Sequence, residues 1–325
     1  MSRKGVSLSA MEANMTPALE PLNCDPTQLP GLSERLIVSH YENNYGGVSR
    51  RLEAILAEWR ALDPATAPIW RINGLKSEEL IAANSKRLHE IYFDGLGKTE
   101  GPSGALAQAI EQSFGSLARW RAEFSAMGKA LGGGSGWVLL MRRRRDGRLV
   151  NQWAADHAHA MVDVDPIMAL DMYEHSYALD YGAKAAAYVD AYMANINWDA
   201  AARLFAGARA ARPAEAIDIR DLQAELAGPK PPILIDVRRR ARIEAAGDLL
   251  PGAVWRDPEK IDQWIGTLPK DRPVVAYCVF GHHVSHTARD RLAAAGFGAR
   301  YLEGGIVTWR AAGLPLAPKT KENAS

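Results

Sequence analysis

The stretch DMYEHSYALDY, Asp171 to Tyr181, sets an aspartate and a histidine four residues apart with Glu174 between them. By itself it reads as half of a metal site or as a salt-bridged turn. The apolar run PIMALDMY leading into it reads as a strand, which puts Asp171 at a strand end and His175 in the following turn. The remaining histidines bear on the choice. The chain has eight: His40, His89, His157, His159, His175, His282, His283 and His286. His40 and His89 fall in the middle of two helical patterns, and antiparallel helices can bring two such imidazoles together on their facing sides. Three neutral nitrogens and one carboxylate suit iron, manganese or zinc, and no cysteine lies close in sequence to favour a thiolate-loving metal. A mid-helix histidine is more often a packed or surface residue, so the pattern alone leaves both readings open.

Working outward, a chain of 325 residues suits two or three domains. A formal net charge of +1 is not that of a protein built to coat nucleic acid or a membrane. No apolar run is long enough to span a bilayer, and the N-terminus lacks the apolar core of a signal peptide. Two distant cysteines, Cys24 and Cys278, exclude a disulfide framework and fit a cytoplasmic, reducing home.

Residues 1–30 are Pro-rich and weakly patterned, the expected composition of an arm on the surface. Helical spacing follows at Leu36, His40, Val48, Leu52, Ile55, Leu56 and Trp59, with Gly46 and Gly47 set to loosen the helix. DPATAPIWRING reads as a loop, and a second long helix is expected from Ser77. The short connection predicts an antiparallel helical hairpin. Two helices are expected from Ala105 to about Leu131. Two strands then flank the Arg145–Arg148 turn, and PIMALDMY is the third. AKAAAYVDAYMANINWDAAARLFAGA reads as helical. The basic run MRRRRDGR, Arg142 to Arg148, reads as a solvated sheet edge that discourages pairing, or as a surface that steers an anion.

After the Ala/Arg/Pro-rich GARAARPAEA, strands and helices alternate, which argues a parallel sheet wrapped by helices. Cys278 ends the buried strand VVAYCV, and a short loop leads into the helix SHTARDRLAAAG. A thiol so placed faces amide donors and the positive end of the helix, which favours a thiolate nucleophile. Gly281 lets the loop curl so that backbone amides converge. A buried structural cysteine is the alternative.

DMYEHSY resembles the most specific signature of the iron/manganese superoxide dismutase family, D-x-W-E-H-A-Y. GSGW, Gly134 to Trp137, matches the start of that family's first strand. NINW, ending in Trp198, and IEQSFGSLARWRAEF match its helices, and the likeness spans about residues 30–205. The resemblance implies metal ligands His40, His89, Asp171 and His175, one iron or manganese ion per subunit, and superoxide as substrate. It implies a homodimer in which Glu174 of one subunit bonds His175 of the other. It assigns His157, with His159 as fallback, to the residue that bonds the metal-bound solvent. Ser85 stands where a glutamine is often found. Three positions depart from the pattern. Val48 replaces the gateway tyrosine, Asn44 an outer histidine, and Ala178 that histidine's tyrosine partner across the dimer. Tyr45, or else Tyr41, is the candidate replacement phenol.

LIDVR (Leu234 to Arg238), LPGAV (Leu250 to Val254) and LEGGIVTWRAAGLPL (from Leu302) resemble the rhodanese domain over about residues 214–317. This implies sulfur transfer through a Cys278 persulfide held in the loop Val279, Phe280, Gly281, His282, His283 and Val284. Val279 and His283 stand where the family often has arginine, so the less cationic loop is expected to favour a persulfide donor over thiosulfate. The fold class implied is α+β for the N-terminal part, a helical hairpin followed by a domain with a three-stranded antiparallel sheet. An α/β rhodanese-like domain with a parallel sheet follows. The expected divisions are an arm (1–30), hairpin (31–100), α/β part (101–206), linker (207–213), rhodanese-like domain (214–318) and tail (319–325). The function implied is an antioxidant dismutase fused to a sulfurtransferase, with no nucleic acid or membrane partner. The alternatives are a persulfide-handling metalloprotein and a stress-response binding protein with weak or no dismutase activity.

Overall fold

Ser33 opens the first helix, its hydroxyl accepting from the Leu36 amide. Glu34–Ser39 (α1) runs into a π-helical turn, His40–Tyr45, and then into Gly46–Ala61 (α2). The glycines expected to loosen this helix thus sit where the widened turn closes back to α geometry. Such turns gather at functional sites, and this one begins at His40. In the computed structural model, residues 17–159, 161–207, 212–320 and 323 are described. Parts of the expected arm (1–16), linker (208–211) and tail (321, 322, 324 and 325) lie outside them.

The second helix, Ile69–Asp94 (α3), begins eight residues before Ser77. Pro68 stands just before it, and the Arg71 amide bonds the Pro68 carbonyl. Tertiary contacts outweigh the poor helix propensity of Asn73 and Gly74. Leu75 and Ala82 pack on Ile55, with Val48, Leu52 and Trp59 beside them, and Arg71 binds Glu58 across the hairpin.

Gly104–Phe114 (α4) and Leu117–Ala130 (α5) follow, with Gly115 at φ 84° and Ser116 capping the second. The antiparallel sheet has Trp137–Arg143 (β1) between Leu149–Ala154 (β2) and Val164–Asp171 (β3). Pro166 is accommodated where the β1–β3 register shifts. The expectation that the arginine run marks a sheet edge is therefore corrected, because β1 is central. Arg142 donates to the Phe205 carbonyl, Arg143 pairs with Asp146, and Arg144 pairs with Asp165. Arg143 and Arg144 thus have carboxylate partners beside them.

Ala178–Tyr181 (α6) comes first, and the stretch from Ala183 expected as one helix is broken into Ala185–Ala194 (α7) and Trp198–Phe205 (α8). Asn197 caps α8 by accepting from Ala200, and buried Asn195 donates to the Pro30 carbonyl. Asparagine side chains compete with the helix for backbone groups, which explains the break.

Leu22–Ala211 forms one compact unit. Leu22, Cys24 and Leu29 are buried in it, so this part of the expected surface arm is core. Burial pushes the Cys24 thiol up to about 12, which leaves it inert as a nucleophile.

The second unit is Arg212–Ser325 together with the chain up to Pro21. Leu19 packs against its core. Its strands are Ala216–Ile217 (β4), Ile233–Asp236 (β5), Asp248–Leu249 (β6), Val254–Trp255 (β7), Val274–Tyr277 (β8), Ala299–Leu302 (β9) and Ala317–Pro318 (β10). Five of them form a parallel sheet in the order β4-β9-β8-β5-β7, and β10 pairs antiparallel with β6. The helices are Ile219–Leu226 (α9), Arg240–Ala245 (α10), Ile261–Trp264 (α11), His283–Ala294 (α12) and Gly305–Ala311 (α13). Apolar clusters lie on both faces of the sheet, as a parallel sheet requires. Asp236 and Arg238, from the LIDVR stretch, form a buried ion pair, and Arg238 also donates to the Asp248 carbonyl.

Candidate metal centre and thiol loop

The hairpin and the end of β3 deliver four side chains to one point. His40 comes from the π turn, His89 from α3, Asp171 from the last residue of β3, and His175 from the 3-10 turn Glu174–Ser176. One ligand atom from each lies within 4.8 Å of all the others. Asp171 Oδ2 is 3.1 Å from His175 Nε2, 3.2 Å from His40 Nε2 and 3.7 Å from His89 Nε2. Its Oδ1 accepts from the Tyr173 amide at 2.9 Å, which leaves Oδ2 turned to the imidazoles. The Ser176 hydroxyl binds the Asp171 carbonyl and braces the same turn.

His89 Nδ1 lies 2.7 Å from the Ser85 carbonyl, which can only accept. The proton is therefore on Nδ1, and Nε2 offers a lone pair toward the cluster. Ser85, which stands at a position suited to a solvent-binding side chain, serves here to orient a histidine.

Burial pushes His89 down to about 3, helped by His40 and opposed by Asp171. Burial also lowers His40, again against the attraction of Asp171. Burial works against the Asp171 charge, but a hydrogen bond from His175 and the close approach of His40 hold its carboxyl well below the usual carboxylate range. The neutral imidazoles of His40 and His89 beside an ionised carboxylate are donors ready for a divalent or trivalent cation. Both nitrogens of His40 and Nε2 of His89 are buried without a hydrogen-bond partner. Unmatched buried polar atoms are costly, and a cation at their meeting point satisfies them. The donor set fits iron or manganese.

These shifts carry a consequence for acid stability. A histidine whose folded pKa lies below its unfolded value of about 6.5 binds fewer protons folded than unfolded in the window between the two. Asp171 acts in the same sense at lower pH, because its folded pKa is also depressed. Stability is thus present above about pH 6.5 and is lost as pH falls toward 3, at about 1.4 kcal/mol per pH unit for each fully titrating histidine. Denaturant titrations of metal-free protein at pH 7 and pH 5 check this. Equal midpoints would show that the buried imidazoles do not couple to folding.

His157 lies beside this cluster, its ring 6.4 Å from that of His89 and stacked on Tyr173 at 4.9 Å. Trp137 Nε1 donates to His157 Nδ1 at 3.0 Å, and Asn84 holds the His157 carbonyl. An indole can only donate, so neutral His157 carries its proton on Nε2. Burial lowers the His157 pKa, which favours that neutral form. His159 is exposed and paired with Asp156, away from the cluster. Sequence reasoning quoted Trp137 only as a strand start and missed both its bond to His157 and the Tyr173 stack.

Glu174 is exposed beside His175, which is itself 27% exposed where the other three residues of the cluster are buried. Ala178 is exposed as well, and Asn44 is half-buried on the π turn. Val48 packs in the apolar seam of the hairpin. Tyr45 is buried and stacked 6.3 Å from His89, and its hydroxyl donates to Glu90 at 3.4 Å, which in turn binds Lys86.

In the second unit, Cys278 follows β8 directly and is buried. Its Sγ lies 3.3 Å from the Ser285 hydroxyl in the first turn of α12, a neighbour the sequence reading did not single out. The Cys278 and Val279 carbonyls accept from Ile306 and Val307 in α13. Each trans peptide points its N–H opposite its carbonyl, so the Val279 and Phe280 amides turn away from α13. Gly281, at φ 71°, packs where a Cβ would fall 2.5 Å from the Gly304 nitrogen. Phe280 is buried and Val284 packs on the core, so these two loop positions are spent on packing. His282 is half-buried and His283 exposed.

The model of the iron/manganese superoxide dismutase C-terminal domain matches residues 102–204, and that of the rhodanese-like domain matches 218–312. The chain is 65% identical over 190 residues to the superoxide dismutase [Fe] of Cupriavidus metallidurans, covering 58% of this chain and 96% of that protein. It is 35% identical over 191 residues to the superoxide dismutase [Fe] of Aquifex pyrophilus, covering 56% and 88%. It is 32% identical over 188 residues to superoxide dismutase [Mn] 1 of Halobacterium salinarum, covering 56% and 90%.

Proposed function

This chain belongs to the iron/manganese superoxide dismutase family and carries a rhodanese-like domain, and on that premise we propose that it dismutes superoxide at an ion held by His40, His89, Asp171 and His175. The observation that carries the reading is the convergence of these four donors, with buried imidazole nitrogens left unpaired. Bound there, iron or manganese supplies a one-electron couple that oxidises one superoxide to oxygen and reduces the next to peroxide. Asp171 supplies the negative charge, and the Ser85 carbonyl keeps the His89 lone pair on the inner side. His157 holds a proton on Nε2, available as a hydrogen-bond donor beside the cluster. Glu174 braces His175 across a homodimer, with its exposed position supporting that role. Tyr45 remains the candidate outer phenol through its stacking on His89, although its hydroxyl is engaged by Glu90. Asn44 takes the place of an outer histidine on the same turn.

Metal analysis of the purified protein beside its rate of superoxide decay tests the reading. Stoichiometric iron or manganese with no acceleration of decay would remove the dismutase assignment. Absence of metal after expression with both supplied would remove the ligand assignment.

Trp137→Phe tests the His157 tautomer. It keeps aromatic bulk and removes the indole N–H. Metal content is expected to persist while the dismutase rate falls by about 10-fold, the lower end for loss of an outer partner. An unchanged rate would show that the Trp137 bond does not set the His157 proton.

The second unit is assigned sulfur transfer. The Cys278 thiolate attacks the outer sulfur of a persulfide donor. A new S–S bond forms at Sγ as the donor's S–S bond breaks, and the donor leaves as a thiol. The amides of Val279 and Phe280, turned away from α13, are the assigned donors to the bound sulfur. Cyanide then takes the outer sulfur in the standard assay. The loop has Val279 and His283 where arginines are often found in the family, which supports a persulfide over the thiosulfate dianion.

A further inference from the structure

The metal cluster abuts a run of phenols that the dismutase reaction as described does not use. The Tyr92 ring lies 5.0 Å from that of His40. The Tyr188 hydroxyl donates to the Tyr92 hydroxyl at 3.3 Å, and the Tyr188 ring lies 6.3 Å from that of Tyr181. Tyr92 and Tyr188 are fully buried, whereas Tyr181 is partly exposed and its hydroxyl donates to the Gly31 carbonyl. Tyr192 also stacks on Tyr92, at 5.9 Å, but it donates to the Ala169 carbonyl and ends inside the core.

Burying a hydroxyl costs free energy, and phenylalanine would fill the same space without that cost. Both phenols keep their protons at neutral pH, the ordinary state of a tyrosine. A phenol in that state gives up its proton together with an electron. Apart from thiols, phenols and indoles are the side chains that are easiest to oxidise in this way.

We infer that Tyr92, Tyr188 and Tyr181 form an exit path for oxidising equivalents that peroxide generates at the metal site, sparing the ligand histidines. The inference rests on the proposed function, whose product is hydrogen peroxide. One-electron reduction of peroxide, with the electron drawn from the reduced ion that superoxide leaves at the loaded site, yields hydroxide and a hydroxyl radical and returns the ion to its oxidised state. The radical takes a hydrogen atom from the Tyr92 hydroxyl, giving water and a tyrosyl radical. Tyr188 returns a hydrogen atom to the Tyr92 oxygen across their hydrogen bond. Net transfer of one further hydrogen atom, from Tyr181 to Tyr188, leaves the radical on Tyr181. There a low-molecular-weight thiol can give a hydrogen atom and close the cycle as a thiyl radical.

The test uses the full-length chain loaded with ferrous iron under anaerobic conditions, with its metal content measured, and then treated with hydrogen peroxide. Freeze-quenched samples are read by electron paramagnetic resonance for a tyrosyl radical. Digests are read by mass spectrometry for oxidation of Tyr181 and of His40, His89 and His175. The loaded protein should show a tyrosyl signal and modified Tyr181, and the metal-free protein neither. In Tyr188→Phe, Tyr181 modification should fall to the metal-free level while oxidised ligand histidine rises. Because Tyr188 is fully buried, Tyr181→Phe is the second variant. It leaves the buried pair intact and should lengthen the life of the radical and raise ligand oxidation. Unchanged Tyr181 modification in Tyr188→Phe, or equal histidine oxidation in wild type and Tyr181→Phe, overturns the path. A chain that takes up iron but gives no tyrosyl radical overturns the path alone. A chain that takes up no iron overturns the proposed function with it.

Discussion

Asp171→Ala is expected to abolish metal uptake and superoxide decay together. The carboxylate sits within 3.7 Å of all three imidazole nitrogens and is the one anionic donor of the four-residue cluster. Without it, three neutral donors face a cation with no compensating charge in a buried place. Loss of an outer partner alone costs about 10–100-fold in metal affinity or activity, so loss of this ligand should exceed about 100-fold. The Tyr173 amide also loses its acceptor on Oδ1, which loosens the turn that carries His175. Asp171→Asn separates the two effects. It keeps the volume and an acceptor for Tyr173 while removing the charge, so it should fold as the wild type does and still bind little metal. The measurements are metal content, superoxide decay and a thermal melt on each variant. Full metal occupancy in Asp171→Ala would show that the ion is held elsewhere.

Cys278→Ser is expected to bring cyanide-dependent thiocyanate formation to background while leaving metal content and superoxide decay unchanged. An oxygen nucleophile cannot carry a sulfane sulfur. Serine is close in size, and it can keep a hydrogen bond to Ser285, so the loop should keep its shape. The assay should be run with thiosulfate and with a persulfide donor, and the persulfide should be the better substrate. Thiocyanate formation that survives the substitution would move the reaction away from this thiol. Equal use of both donors would show that the arginine-poor loop does not discriminate between them.

Much of this site was legible in the sequence because its donors announce themselves locally. Asp171 and His175 share one short turn, and His40 and His89 each sit in a helical pattern. The likeness of DMYEHSY to a family signature raised that pattern above a chance spacing. The thiol loop was legible for the same reason, from a buried strand, a cysteine, a glycine and a helix in succession. Legibility stopped where a residue's role depends on a neighbour distant in the chain. Trp137 is twenty residues from His157, Ser285 is seven from Cys278, and Gly304 comes from a different turn than Gly281. The early start of α3 and the central position of β1 were missed likewise. Each depends on a packing partner that local propensity does not contain.

The sequence by itself determined which chemical groups are present, the elements that carry them and the two-part character of the chain. Periodicity, capping residues and turn glycines act over a few residues, and these are written in order along the chain. Only the tertiary structure decided that the four donors meet, that the buried His40 and His89 imidazoles are neutral beside an ionised carboxylate, and that Val48 faces a seam while Tyr45 is engaged by Glu90. It also decided that Leu19 packs in one unit and Leu22 in the other. The physical reason is common to all of these. Desolvation and hydrogen bonding depend on what surrounds an atom in space, and that environment is assembled from segments that the sequence keeps far apart.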